Sequence, residues 1–348
     1  MLHRASRMIL LVTLLILSSA GERQMYRNDS QDIALLRLPL DRDRPDLKIV
    51  GQLQFLDAWE LKSDNVDFGG ISGLTLQPGG RFLAVGDAGT LIGFGLTGDD
   101  DADRPFIAPM PDAFGKDRNF SDRDAEAIVH DPASRKYWVS YEGKAAIRRF
   151  GAAFTRREAI ARPKPMLKWG HNSGAEAMLR FPDGRFAVFS EGHDRPDGSY
   201  EALMFSGDPT EKGSDYFAFG YQPPARHKIT DAKLLPDGRI LTLNRKFDFT
   251  GLSATLAVLD PADIAQGETV SPTAIAVLES PLLVDNMEGL AIGQEDGRTI
   301  IWLISDNNFN AFQRSLLMKF ALTPAATDDK TRPTKKPASD TAPGFDAI

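Results

Sequence analysis

The feature that most constrains this chain is a unit that occurs five times. Each copy has a polar lead residue, a short apolar run, a tight turn ending in Arg, a second apolar run and a charged closing residue. The copies are "SGLTLQPGGRFLAVGD" (72–87), "EAIVHDPASRKYWVSYE" (126–142), "EAMLRFPDGRFAVFSE" (176–191), "DAKLLPDGRILTLNR" (231–245) and "EGLAIGQEDGRTIIWLISD" (288–306). The lead residues Ser72, Glu126, Glu176, Asp231 and Glu288 are spaced by 54, 50, 55 and 57 residues. A period of this length marks a repeat architecture.

Each unit reads as a β-hairpin. Gly at the turn supplies positive φ, and a preceding Pro fixes the approach. The flanking runs have few polar breaks, which suits strands buried on both faces. Two more strands are expected after most hairpins: "EALMFSG" and "DYFAFGYQ" after Glu191, "ATLAVLD" and "AIAVLES" after Arg245, "AAIRRFG" and "PMLKWG" after Glu142. Four strands per repeat make a β-propeller blade. The last repeat has only "SLLMKFAL" after its hairpin. The unassigned "KIVGQLQFLDAWEL" (48–61) would complete that blade and remove the open edge. Five blades are favoured, with a sixth conceivable around "IALLRLPL" (33–40). A β-sandwich would need five matching hairpins to arise by coincidence.

Hairpin geometry places the lead and closing residues side by side, opposite the turn. This pairs Glu126 with Glu142, Glu176 with Glu191, Asp231 with Arg245, and Glu288 with Asp306. If the hairpins are the inner strands of blades, Asp87 and all these acids meet at one mouth of the channel, with Asp124 and Asp285 nearby. The Gly-Arg turns go to the other rim. Crowded carboxylates raise one another's pKa, and hard oxygen ligands suit Ca²⁺ or another divalent cation. The expected catalytic residues are Glu126, Glu176, Glu288 and Arg245. The expected metal ligands are Asp87, Glu142, Glu191, Asp231 and Asp306. Lys144 and His193 are further candidates to neutralise acids or clamp an anion, and His171 shares the rim. The competing reading is that these carboxylates cap backbone N–H groups between blades.

The formal charge of −7 argues against a nucleic-acid partner, which needs a basic face. No cysteine is present, so disulfides, thiol catalysis and thiolate metal sites are excluded. Residues 1–20 have a basic start and a short apolar run ending in Ser and Ala, as in a secretory signal cut after Ala20. Cleavage would take the charge to −9 and leave a periplasmic or secreted domain; uncleaved, the segment would be the one membrane contact. Residues 323–348, rich in Pro, Thr, Ala and charge, are expected to be a disordered tail. There is no Walker lysine and no G-x-S-x-G elbow. "SDNNFN" (305–310) lacks the EF-hand spacing.

The phrases "GGISGLTL", "DAEAIV", "NSGAEAML", "ITDAKLLPDGRILTLNRKF" and "DNMEGLAI", in this order, resemble the bacterial family described as "esterase-like activity of phytase". The resemblance runs from about Gly69 to Leu322. It implies export, a β-propeller fold and a phytase-like hydrolase. Two functional readings follow. One is a metal-dependent hydrolase of small anionic phosphoric or other esters at the acidic mouth. The other is a non-catalytic propeller that binds a ligand or envelope partner, with the carboxylates as braces.

Overall fold

The structure is a computed structural model that describes residues 28–98, 100–111, 123–170, 173–249 and 251–323. The expected signal segment, His171 and residues 324–348 lie outside the described residues. Among the described residues there is no α-helix, and nearly all regular structure is β. Among the described residues no helix is long and apolar enough to cross a membrane.

The strands form five antiparallel sheets in a ring. Blade 1 contains Ile71–Leu76, Phe82–Gly86, Thr90–Gly95 and Asp103–Pro109, from inner to outer strand. Blade 2 contains Ala125–Asp131, Lys136–Tyr141, Ala146–Phe150 and Arg157–Ala161. Blade 3 contains Ala175–Arg180, Phe186–Asp194, Tyr200–Phe205 and Tyr216–Tyr221, with the short Thr269–Val270 added in parallel outside. Blade 4 contains Lys228–Leu234, Ile240–Asp248, Gly251–Leu259 and Thr273–Glu279. Blade 5 contains Met287–Glu295, Arg298–Ser305 and Ser315–Leu322, and its fourth strand is the N-terminal Leu53–Lys62. The five inner strands touch one another in chain order, and the last touches the first. The chain is therefore a five-bladed propeller closed by its N-terminal strand.

Two expectations are corrected. The stretch from Ile33 to Leu40 makes no sixth blade; Ala34–Arg37 pairs with Leu53–Lys62 and covers the outer edge of blade 5. "PMLKWG" is not the fourth strand of blade 2; that strand is Arg157–Ala161. Pro163 and Pro165 have no N–H for a ladder. The segment instead turns over so that Met166 and Trp169 plug the gap between blades 2 and 3.

The core is divided into five apolar clusters, one between each pair of neighbouring blades. This explains the unbroken apolar runs, because each inner sheet face packs against another blade. Between blades 5 and 1, Trp302 lies against Trp59 and edge-on to Phe82. Burying each such ring stabilises the fold by about 1.5–3 kcal/mol. At the rim opposite the lead residues, Gly80, Gly184, Gly238 and Gly297 all have positive φ. In blade 2, which lacks a glycine there, Arg135 takes the left-handed conformation at φ 54°.

Candidate active site

Every inner strand carries a register shift at its start, between Ile71 and Gly73, Ala125 and Ile128, Ala175 and Ala177, Ile229 and Asp231, and Met287 and Gly289. Such a bulge inserts an unpaired residue and re-aims its side chain. The residues at the bulge are Ser72, Glu126, Glu176, Thr230 and Glu288. The repeat thus lines up at Thr230 in blade 4, one residue before the expected Asp231. Asp231 instead matches Gly73, Ala127, Ala177 and Gly289, where the inner strands crowd together. A Cβ on Gly73 would stand 2.6 Å from the carbonyl oxygen of Glu126 in the next blade.

Asp231 is accordingly a brace between blades. Its carboxylate accepts from Lys233 Nζ at 2.6 and 2.8 Å, from Ala232 N at 2.7 Å and from Leu290 N of blade 5 at 2.8 Å. Burial lifts its pKa to about 6 despite the Lys233 ammonium. It is not beside Arg245, which lies opposite Lys228. Asp285 is also a brace, accepting from Asn286 N and from the backbone and guanidinium of Arg314.

The other expected residues are brought together. Glu126 has Asp124, Glu142, Glu288 and Asp87 near it; Glu176 has Glu126, Glu191, Glu142 and Glu288. Burial, and then these like charges, push both well above the usual carboxylate range. Glu142 rises to about 7, mainly through burial, while a hydrogen bond with Glu176 pulls the other way. Burial takes Glu288 to about 8, Asp87 to about 7 and Asp306 to about 6.

Four of the five closing residues reach the start of the next blade. Glu142 Oε1 accepts from Gly174 N at 2.8 Å. Glu191 Oε2 accepts from Lys228 Nζ at 2.8 Å. Arg245 donates to Asn286 Oδ1 and Glu288 Oε1. Asp306 accepts from the backbone of Gly70 and Ile71. Asp87 departs from this pattern, because the corresponding residue of blade 2 is Asp124, another acid. The two repel, and Asp87 Oδ1 is buried without a hydrogen-bond partner.

This junction suits a cation. Asp124, Glu126 and Glu142 each place a carboxylate oxygen within 4.8 Å of the others. Asp87 is close enough to repel Asp124 and Glu126, and the donors are all hard oxygens, as Ca²⁺ or Mg²⁺ requires. Asp124 is the site residue that the repeat alone does not mark as a ligand. Its signal is its place two residues before the bulge, equivalent to Lys228 and Asn286. Glu191 and Asp306, expected as ligands, lie at the same mouth but are engaged by Lys228 and Arg245 and by the start of blade 1 respectively.

Blade 4 reverses the charge. It has no acid at these positions: Thr230 stands at the bulge, Lys228 two residues before it and Arg245 at the close. Arg245 also binds Glu191 at 3.0 Å, so it spans carboxylates on both neighbouring blades. Glu288 and Glu191 outweigh the effect of burial and hold its guanidinium charged. Lys144 lies in the turn after Glu142. His193 is in the second strand of blade 3, its N–H donating to Ser190 Oγ. "SDNNFN" forms self-capping turns, Asp306 accepting from Asn308 N and Asn307 from Phe309 N.

A family profile described as "Phytase-like: Esterase-like activity of phytase" matches residues 66–309, well over half the chain, spanning all five inner hairpins and leaving out Ser315–Leu322 and Leu53–Lys62 of blade 5. The chain belongs to this family. The phytase-like propeller matches none of the curated proteins in sequence. Among solved structures it is similar to the major allergen Mala s 1 of Malassezia sympodialis (12% identity, 84% of this chain and 96% of that one, TM-score 0.46). It is also similar to the calcium-binding protein regucalcin of Agrobacterium tumefaciens (12% identity, 73% and 91%, TM-score 0.39). A third is the PQQ-bound aldose sugar dehydrogenase of Streptomyces coelicolor (11% identity, 76% and 97%, TM-score 0.39). These likenesses bring nothing about ligands or chemistry to the phytase-like propeller.

Proposed function

We propose that the phytase-like propeller hydrolyses esters of small anions at its acidic mouth, with a divalent cation as cofactor. The observation that carries this reading is the junction of blades 1 and 2, where Asp87 meets Asp124 beside Glu126 and Glu142. Those four residues would hold the cation, Ca²⁺ being the natural choice for all-oxygen ligands. A cation held there would offset substrate charge and lower the pKa of bound water.

The chain's own groups supply the rest. Arg245, fixed between two blades, stabilises negative charge building on the phosphoryl or acyl oxygens. Water adds to phosphorus or the acyl carbon and the bond to the bridging ester oxygen breaks. Glu176, held protonated, gives its proton to the leaving oxygen, and a neighbouring carboxylate takes one from the attacking water. The hydrogen bond between Glu176 and Glu142 then lets the proton be redistributed. Glu288 holds Arg245 in place. The leading 20 residues support a periplasmic or secreted location for this chemistry.

The test is hydrolysis of p-nitrophenyl phosphate and p-nitrophenyl acetate by the purified mature chain, with Ca²⁺ and with EDTA. Cation-dependent turnover of either supports the proposal. No turnover of either, or of phytate, with any divalent cation would leave a binding propeller as the better reading.

A further inference from the structure

Beside the acids, on the blade 4 side, lies a cavity of about 780 Å³ that shares Glu191, Lys228 and Arg245 with the mouth. Its volume falls in the usual range for small-molecule sites, ~300–1,000 Å³. Its lining combines charged groups, Glu191, Arg226, Lys228 and Arg245, with the two rings Phe247 and Phe312. One wall is the hairpin of blade 4, whose second and third strands run nine residues each, against five and six in blade 1. The added length lifts Phe247, paired with Leu252, above the mouth with 78% of its surface exposed. The other wall is the loop after the second strand of blade 5, which carries Phe312 at 97% exposure.

The loop that carries Phe312 is braced by its own side chains. Phe312 N donates to Asn310 Oδ1, and Asn308 and Asn310 both donate to Gln313 Oε1, at 2.9 and 2.7 Å. Two exposed phenyl groups at one cavity offer apolar area that a ligand can cover.

The charges limit what that ligand is. The cavity's cations are Arg226, Lys228 and Arg245, but Lys228 and Arg245 already share Glu191. Arg226 has Asp248 at 3.9 Å. Eight carboxylates occupy the adjoining mouth. A polyphosphorylated polyol would bring many negative charges and no apolar surface to such a place.

We infer that this cavity selects the substrate: a singly anionic ester with an aromatic or similarly flat apolar group, seated between Phe247 and Phe312 with its anionic group on Lys228 and Arg245. The inference rests on the proposed hydrolase only in calling the ligand a substrate. Its test is binding of phosphonates that the protein cannot hydrolyse, so absent turnover does not decide it. Calorimetry on the full mature chain with Ca²⁺ compares 1-naphthylmethylphosphonate, methylphosphonate and phytate. The naphthyl compound is expected to bind at least tenfold more tightly than methylphosphonate, and phytate weakest. F247A together with F312A, both at exposed positions that the core does not use, should abolish the preference for naphthyl. K228A should weaken both phosphonates. Equal binding of the two phosphonates, tightest binding of phytate, no binding of any, or a preference that survives the double variant would each overturn the inference.

Discussion

Arg245 and Glu191 sit on neighbouring blades and meet across the mouth at 3.0 Å. The same guanidinium reaches Glu288 on the blade to the other side. One cation from blade 4 therefore ties together the acidic flanks of blades 3 and 5. Replacing it with a neutral residue leaves Glu191, 8% exposed, with only Lys228, and Glu288, 12% exposed, with only Asn286. Breaking a fully buried pair costs about 3–5 kcal/mol. Here the arginine is 24% exposed, so Arg245→Met should destabilise by roughly 2–3 kcal/mol in urea titrations. Arg245→Lys should recover part of the stability, since one ammonium cannot reproduce the fork. Both should lose most ester turnover.

The acids predict an unusual pH dependence. Asp87 and Glu142 titrate near 7 and Glu288 near 8 when folded, against about 4 in an unfolded chain. Between those values the folded state keeps protons that the unfolded state has lost, so stability falls as pH rises. Without metal, the melting temperature should decline from pH 5 to pH 8. A divalent cation competes with those protons, and at a hundred times its Kd adds about 2.7 kcal/mol. The gain should be larger at pH 8 than at pH 5. Asp124→Asn should raise the metal-free melting temperature at pH 8 and remove the cation's effect. A melting temperature indifferent to both pH and cation would contradict the site.

Burial and neighbouring acids hold Glu176 protonated, so glutamine is a close mimic of its resting form. Glu176→Gln should fold normally and be at least as stable as the wild type above pH 7, where it removes a carboxyl whose ionisation is unfavourable. As the general acid it should lose about 10²–10⁴ in kcat. Esters with good leaving groups, which need little protonation, should suffer least. An equal loss for p-nitrophenyl and alkyl esters would remove Glu176 from that role.

What the sequence reveals, and what it hides, follows from the range of each interaction. Turns such as Pro182-Asp183-Gly184-Arg185 are set by neighbouring residues, so hairpins, blades and closing strand can all be read in one dimension. The bulges cannot, because an extra residue leaves the apolar pattern almost unchanged. That is why Asp231 looks equivalent to Glu176 until the register puts Thr230 there. Asp124 is hidden for a different reason. It stands in a connecting loop, and its role appears only when Asp87 arrives from the preceding blade. The cavity walls are likewise unmarked, since Phe247 and Phe312 belong to different blades and look like ordinary core residues in the sequence.

The separation of Asp231 from the other acids gives a control for the cation site. Its carboxylate satisfies Lys233, itself only 14% exposed, and the backbone of Leu290. Asp231→Ala leaves a shielded ammonium and a buried N–H without partners, at a cost of about 3–5 kcal/mol. Asp231→Asn can keep one backbone bond but not the charge, and should cost less. In either variant that remains folded, the cation should still raise the melting temperature as it does in the wild type, because Asp231 supplies no ligand. Glu142→Gln should behave in the opposite way, with little loss of metal-free stability and no cation effect. If Asp231→Asn abolished the cation's effect while Glu142→Gln retained it, the ligand set would lie at the junction of blades 4 and 5 instead.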